Sequence, residues 1–321
     1  MEKTINNVHN KTLTNKFLNE LIEKNFNWAK IGNLPTSIPA LAEQDPNLFG
    51  VSIHTVEDES FNAGDYDTPF TIQSISKVFA LLQALIDNSE EKVFSDIGME
   101  PTGDLFDSIS KLESFNNLTP LNPLVNAGAI ATTSFIHGKD YDDKFNRLKE
   151  LMISISNNPT ISVDYDVYRS EKETADKNRS IAYFLRNIGA IKGDVDKILE
   201  LYFKQCSLKV TCKDLSYIGA VLARTSGFNS LSFSGVEIPS RYFRIIKTFM
   251  FTCGLYNESG KFAVRVGIPA KSGISGGILA VVPGKMGIGI LSPPLNKKSN
   301  PLAGMRLLED LSDRLNLSLI Q

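Results

Sequence analysis

The chain has 321 residues, 34 Lys+Arg against 36 Asp+Glu, and 42% hydrophobic residues. A net charge of −2 with both signs mixed argues against a nucleic-acid or anionic-membrane partner. A chain of this length buries about three-quarters of its unfolded surface and needs neither disulfides nor metal to hold a core. Cys206, Cys212 and Cys253 are spaced like neither a zinc knuckle nor a redox pair. With only His9, His54 and His137 beside them, no metal site is expected. The opening MEKTINNVHNK lacks the apolar core of a signal peptide, and no run of about 18 apolar residues follows. A soluble, cytoplasmic protein is expected.

In chain order, Phe17, Leu18, Leu21 and Ile22 predict an amphipathic helix. Residues 48–56 have strand character and end in a turn at Glu57-Asp58-Glu59. Between about 71 and 250 the period is mostly helical. Val78, Phe79, Leu81, Leu82, Leu85 and Ile86 form one broad stripe, Ile181, Ala182, Leu185 and Ile188 another, and 199–203 continues the pattern. Strand character returns in the alternating Phe262–Val266, in Gly277–Val282, and after the Pro283-Gly284 turn in Met286–Leu291. Short strands on tight turns predict an antiparallel meander. Met305, Leu307, Leu308, Leu311 and Leu315 predict a closing helix over one face of it. The expected fold class is α+β, an antiparallel sheet flanked by helices with an inserted helical domain. Residues 1–70 and 251–321 form a discontinuous α/β sandwich, and residues 71–250 form the insertion.

Three stretches carry candidate chemistry. Gly273-Ile-Ser275-Gly-Gly277 matches the G-x-S-x-G nucleophile elbow, but that mechanism requires a later histidine and none follows His137. Ser275 therefore reads as part of a Gly-rich approach to a strand, and the histidines as structural. A serine three residues before a lysine at a helix start puts both side chains on one face, with the hydroxyl among unpaired backbone N–H groups. Burial disfavours the ammonium, so neutral amine becomes available to take the serine proton. Ser-Ile-Ser-Lys occurs twice, at Ser74–Lys77 and Ser108–Lys111. Ser74 opens the most apolar helical segment, whereas Ser108 lies among Asp104, Asp107 and Glu113, where Lys111 would be solvated. Context favours the Ser74–Lys77 pair.

The third stretch is Lys271-Ser272-Gly273, just before the Gly277–Val282 strand. Alone it reads as a lysine beside a loop. Its order matters: S-x-x-K early, a helical insertion, then K-[ST]-G late is the arrangement of serine β-lactamases and penicillin-binding proteins. A β-lactamase/transpeptidase-like fold follows, with backbone N–H groups of that strand and of Ser74 as oxyanion donors worth about 3 kcal/mol each.

Within that superfamily the chain resembles the serine-dependent glutaminases. The likeness is carried by Ile38-Pro39 with Asp45–Val51, by Phe70–Phe79 around Ser74 and Lys77, and by Glu100–Gly103. It continues through Asn122–Ala131, Tyr168–Glu171 with Asn178-Arg179, Tyr202–Ser207, Thr252–Tyr256, Val266–Ile274 and Ser292–Leu295. The resemblance implies Ser74 as nucleophile, Lys77 as its base and Tyr256 in substrate contact and proton transfer. It implies Asn126, Glu171, Asn178 and Tyr202 around the α-amino and α-carboxylate ends of glutamine, and a main-chain contact from Ile274, where valine is usual. By pattern alone Asn126 reads as a helix cap, and Glu171, in a charged stretch, as a solvated position. Three departures stand out. Ser37 replaces a tyrosine of the segment closing over the site, residues 118–122 lack a basic residue, and Thr174-Ala175-Asp176-Lys177 replaces a Gly-containing turn.

The reading that follows is an amidohydrolase converting L-glutamine and water to L-glutamate and ammonia, without metal or organic cofactor. The resemblance also implies a homodimer or homotetramer. Two other readings are a β-lactamase or DD-peptidase, against which stand the missing S-D-N, Y-x-N and export signal, and an amino-acid-binding descendant of weak activity, which only Ser37 supports.

Overall fold

The computed structural model describes residues 13–103, 107–108, 119–224, 230–233 and 235–320. His9, Asp104, Lys111 and Glu113 lie outside the described residues. The Thr14 hydroxyl accepts from Phe17 N–H and starts α1 (Asn15–Ala29), which α2 (Pro39–Ala42) and the hairpin β1 (Gly50–Thr55)–β2 (Ser60–Gly64) follow. The pair β3 (Phe70–Thr71) leads through a 3-10 turn, Gln73–Ile75, into α3 (Ser76–Asp87). Helices then succeed one another: α4 (Glu90–Asp96), α5 (Asn126–Ser134), α6 (Tyr141–Ser156), α7 (Tyr165–Thr174), α8 (Asp176–Asn187) and α9 (Val195–Cys206). After β4 (Lys209–Val210), paired with β3, come α10 (Cys212–Ala223), the hairpin β5 (Ser230–Phe233)–β6 (Val236–Pro239) and α11 (Ser240–Cys253). A 3-10 turn, Tyr256–Glu258, precedes α12 (Ser259–Arg265), β7 (Ala270–Ser272), β8 (Gly277–Val282), β9 (Met286–Leu291) and α13 (Leu302–Leu315).

Five strands form one antiparallel sheet in the order β2-β1-β9-β8-β7, so both ends of the chain build it. Its two faces are covered differently, and β9 explains why. In Met286-Gly-Ile-Gly-Ile-Leu291, period 2 sends Ile288 and Ile290 to the face packed by Leu18 and Leu21 of α1 and by Leu307, Leu308 and Leu311 of α13. The intervening glycines meet α10 backbone to backbone. A Cβ at Gly287 would stand 2.1 Å from the Ser216 carbonyl oxygen, and one at Gly289 2.1 Å from that of Cys212. The Ser52 and Ser216 hydroxyls hydrogen-bond across the same seam at 2.8 Å.

In α3 every residue from Ser76 to Leu85 is buried, the polar Ser76, Lys77 and Gln83 among them. It lies in a large apolar cluster with side chains of α5, α6, α9 and α11. The α+β expectation holds, as do the N-terminal and closing helices. One expectation fails: Phe262–Arg265 falls on α12, with Val266 as its C-cap, and not on a strand. Phe262 and Val266 are buried while Val264 is 88% exposed. The i, i+4 pair satisfies a helix as well as the alternation satisfied a strand, and packing beside the sheet decided. Among the described residues no helix is long and apolar enough to cross a membrane.

Because the β9–α10 seam has no space for a side chain, Gly287→Ala should lower stability by about 3 kcal/mol. Urea unfolding measures it, and an unchanged midpoint would contradict this account of the seam.

Candidate active site

Thr71 pairs with β4, and the chain must then turn sharply to enter α3. Gln73 makes that turn at φ +47, in the left-handed region a non-glycine residue seldom occupies. The turn leaves Ser74 at the wall of a cavity of about 440 Å³. Lys77, one helical turn on, is completely buried behind it. Its Nζ donates to Asn126 Oδ1 at 2.6 Å and towards Leu124 O at 3.4 Å. Burial pulls the Lys77 pKa down to about 8, against the smaller opposing influence of nearby Cys206 and Glu171.

Asn126 is the first residue of α5 but not its cap. The side chain of Asn122 supports the helix start, with Oδ1 accepting from Leu124 and Val125 N–H. The Asn126 amide instead joins Lys77 to Asn178: its Nδ2 donates to Asn178 Oδ1 at 2.9 Å. Glu171, on α7, is buried and not solvated. Desolvation pushes its pKa up to about 8, and the Gln73 side chain and the Lys77 charge oppose that rise. Among the described residues, Glu171 Oε2 and Gln73 Nε2 have no hydrogen bond of ordinary length, so Gln73 acts on the carboxylate only loosely. Tyr202 and Cys206, on α9, are buried beside them, and desolvation raises both pKa values and keeps both groups protonated.

The C-terminal part supplies the other wall. Tyr256 also holds a positive φ, +55, and its hydroxyl hydrogen-bonds to the Ser74 side chain and donates to Ser272 O at 3.4 Å. Burial pushes the phenol up to about 12. Lys271, wholly buried, lies with Nζ 4.2 Å from the Tyr256 ring centroid and donates to Ser272 O at 2.7 Å and Gly254 O at 3.0 Å. Burial and the charge of Lys77 draw its pKa well below the ordinary lysine value. Ile274 lines the cavity, and its N–H has no backbone acceptor among the described residues.

Ser74, Asn126, Glu171, Asn178, Tyr202 and Ile274 thus line one cavity, while Tyr256, hydrogen-bonded to Ser74, and the buried Lys77 do not reach its lining. Ser37 lies on the rim. Ala175 has φ −86, which any residue adopts, so the alanine at that turn is unstrained. Ser108, Ser275, His54 and His137 do not line the cavity. His54 is bonded to Ser60 and Asp58 within the β1–β2 hairpin, and Ser275 is buried. Among the described residues no group of three His, Cys, Asp or Glu side chains could hold a metal ion. Gln73 and Cys206 are among the lining residues that the sequence did not single out. Gln73 is marked only by its left-handed backbone, and Cys206 reads as a packed thiol yet borders the cavity.

A family model described as Glutaminase matches residues 32–320. The chain is 49% identical over 306 residues to the glutaminase of Clostridium botulinum (strain Loch Maree / Type A3), covering 95% of this chain and 99% of that protein. It is equally 49% identical over 304 residues to glutaminase 2 of Clostridium perfringens (strain 13 / Type A), covering 94% and 99%. Among solved structures, a Bacillus glutaminase crystallised in the presence of 4.3 M NaCl superposes with TM-score 0.87 at 33% identity, over 95% of this chain and 99% of that one. A probable glutaminase from Bacillus subtilis complexed with 6-diazo-5-oxo-L-norleucine gives 0.85 at 32%, over 95% and 96%. These neighbours agree with the β-lactamase-like α+β fold expected from the motif order.

The Glu171 carboxyl has a linked effect on stability. With its pKa raised from 4.5 to about 8, the folded protein keeps a proton that the unfolded chain loses between those values. Stability from this group is complete below about pH 4.5 and is lost as pH rises through 8. Glu171→Gln should therefore be more stable than wild type by a margin that widens from pH 5 to pH 8 to on the order of a few kcal/mol. Calorimetry across that range checks it; a margin independent of pH would contradict it.

Proposed function

Since the chain belongs to the glutaminase family, we propose that it hydrolyses L-glutamine to L-glutamate and ammonia through an acyl-enzyme on Ser74. The observation that supports the serine mechanism is a serine at the cavity wall followed, three residues on, by a wholly buried lysine whose pKa lies near 8. Ser74 Oγ attacks the side-chain amide carbon while Lys77 Nζ takes its proton. The Ser74 and Ile274 N–H groups hold the developing oxyanion. As the C–N bond breaks, the proton passes from Lys77, through Tyr256, to the departing ammonia. Water then attacks the ester, Lys77 again accepting a proton, and returns Ser74 as a free hydroxyl.

Substrate polarity suits the opposite end of the cavity. A buried carboxylate with an oxygen lacking a hydrogen bond, Glu171, is an acceptor for the α-ammonium. Because Lys77 and Asn126 fix the orientation of the Asn178 amide, Asn178 Nδ2 is left to donate to the α-carboxylate, with the Tyr202 hydroxyl beside it. Shortening the substrate by one methylene costs only ~1–3 kcal/mol of discrimination, so asparagine is disfavoured but not rejected outright.

The same reading places this cavity between a discontinuous α/β sandwich, 1–70 with 251–321, and a helical domain, 71–250. Ser74, Asn126, Glu171, Asn178 and Tyr202 come from the second and Tyr256 and Ile274 from the first. A homodimer or homotetramer acting in the cytoplasm belongs to it too, resting on the resemblance to the family; light scattering checks the assembly.

Ser74→Ala should abolish release of ammonia and glutamate from glutamine while leaving the melting temperature nearly unchanged. Turnover retained in that variant would remove the nucleophile assignment. In the wild type, kcat/KM should climb with pH to a plateau above about 8, where neutral Lys77 and ionised Glu171 both accumulate. Lys77→Arg, which stays charged, should lose roughly 100- to 10,000-fold in kcat at every pH.

A further inference from the structure

Behind the Tyr256 turn lies a buried polar cluster that neither the motifs nor the mechanism uses. Glu258 closes the 3-10 turn that begins with Tyr256, and its Oε2 accepts from Asn296 Nδ2 at 2.7 Å and Asn300 Nδ2 at 2.9 Å. Asn300 is wholly buried and uses both ends of its amide. Nδ2 donates also to Leu255 O at 3.1 Å, and Oδ1 accepts from Ser272 Oγ at 2.7 Å. The exposed Lys261 stands 3.7 Å from the other Glu258 oxygen. Each segment that Asn300 joins carries a residue of the site: 255–258 carries Tyr256, which hydrogen-bonds to Ser74, while 270–274 carries Ile274 and 296–299 carries Asn296, both on the cavity lining. Neither Glu258 nor Asn300 reaches the cavity itself.

We propose that Glu258 and Asn300 are positioning residues for the reaction, a clamp that holds the left-handed Tyr256 turn in register with the Ser272 carbonyl and the Ile274 N–H. The inference rests on the role given to Tyr256 above. A left-handed conformation persists at a non-glycine residue only where its surroundings over-determine it. Here the surroundings are two sets of hydrogen bonds. Ser259 Oγ bonds Tyr256 O at 3.0 Å and receives Leu255 N–H at 3.0 Å, fixing the turn locally. Asn300 fixes it to β7, whose last residue offers its carbonyl to both Tyr256 Oη and Lys271 Nζ. Without Asn300 the turn keeps its local bonds but loses its register against the strand, and a hydroxyl displaced by about 1 Å can cost ~100-fold in rate.

The test is steady-state glutamine hydrolysis by N300A, E258L, E258Q, Y256F and the double variant N300A/Y256F, with circular dichroism confirming folding at the assay temperature. N300A and E258L should lower kcat about 10- to 100-fold with KM little changed. E258Q keeps an oxygen where both asparagine amides donate and should retain most of the turnover. Because the clamp acts through Tyr256, adding N300A to Y256F should cost little beyond Y256F alone. An unchanged kcat in N300A, a loss as large in the Y256F background, or equal losses in E258Q and E258L would each overturn the proposal. If N300A fails to fold, the comparison of E258Q with E258L decides. An unchanged kcat in Y256F would instead overturn the role of Tyr256, which Ser74→Ala does not test.

Discussion

A lysine ammonium taken out of water loses hydration that a few neutral oxygens replace only in part, and in this protein Lys77 has been taken out of water completely. Much of the site follows from that burial. It requires α3 to be enclosed on all sides, and every residue of this helix from Ser76 to Leu85 is buried. It requires an acceptor within reach, which Asn126 Oδ1 supplies. It also makes the amine easier to deprotonate, the property a base for a serine hydroxyl needs. A solvated lysine at the same spacing would carry its proton permanently near neutral pH and could not accept another.

The cost of this arrangement is spread over several residues. Glu171 and Lys271 are two further ionisable groups held almost free of water, each with its pKa moved towards neutrality of charge. Gln73 and Tyr256 hold backbone conformations that cost roughly 1–2 kcal/mol each at non-glycine residues. Such features cluster around one cavity while the sheet and its covering helices contain apolar packing and close backbone contacts. Strain and buried polarity concentrated in one place are what a preorganised site looks like, stabilised by a core elsewhere.

Local pattern was readable where one element decided the outcome. The Ser74–Lys77 spacing, the strand character of Met286–Leu291 and the leucine stripe of α13 each depend on pattern within a few residues. Pattern misled where a neighbour decided. Phe262–Val266 alternates like a strand, yet its buried pair is spaced by four, and packing selected α12. Glu171 lies in the most polar helix of the region, so its composition points to solvent, whereas the fold turns that position inward beneath Gln73. Asn126 has the neighbours of a helix cap, but the cap position is Val125, and the Asn126 amide is spent on Lys77 and Asn178.

The sequence by itself determined which residue types lie one helical turn apart and which faces of strands and helices are apolar, because both depend on short-range geometry of the backbone. The order of motifs and their likeness to a family then identified the chemistry. Only the tertiary structure decided that Tyr256 meets Ser74, that Lys271 lies over the Tyr256 ring, and that Asn300 ties three separate segments together. Those contacts join residues from distant parts of the chain. Their distances are set by how the sheet and the helical body pack, and no periodicity in the chain records them.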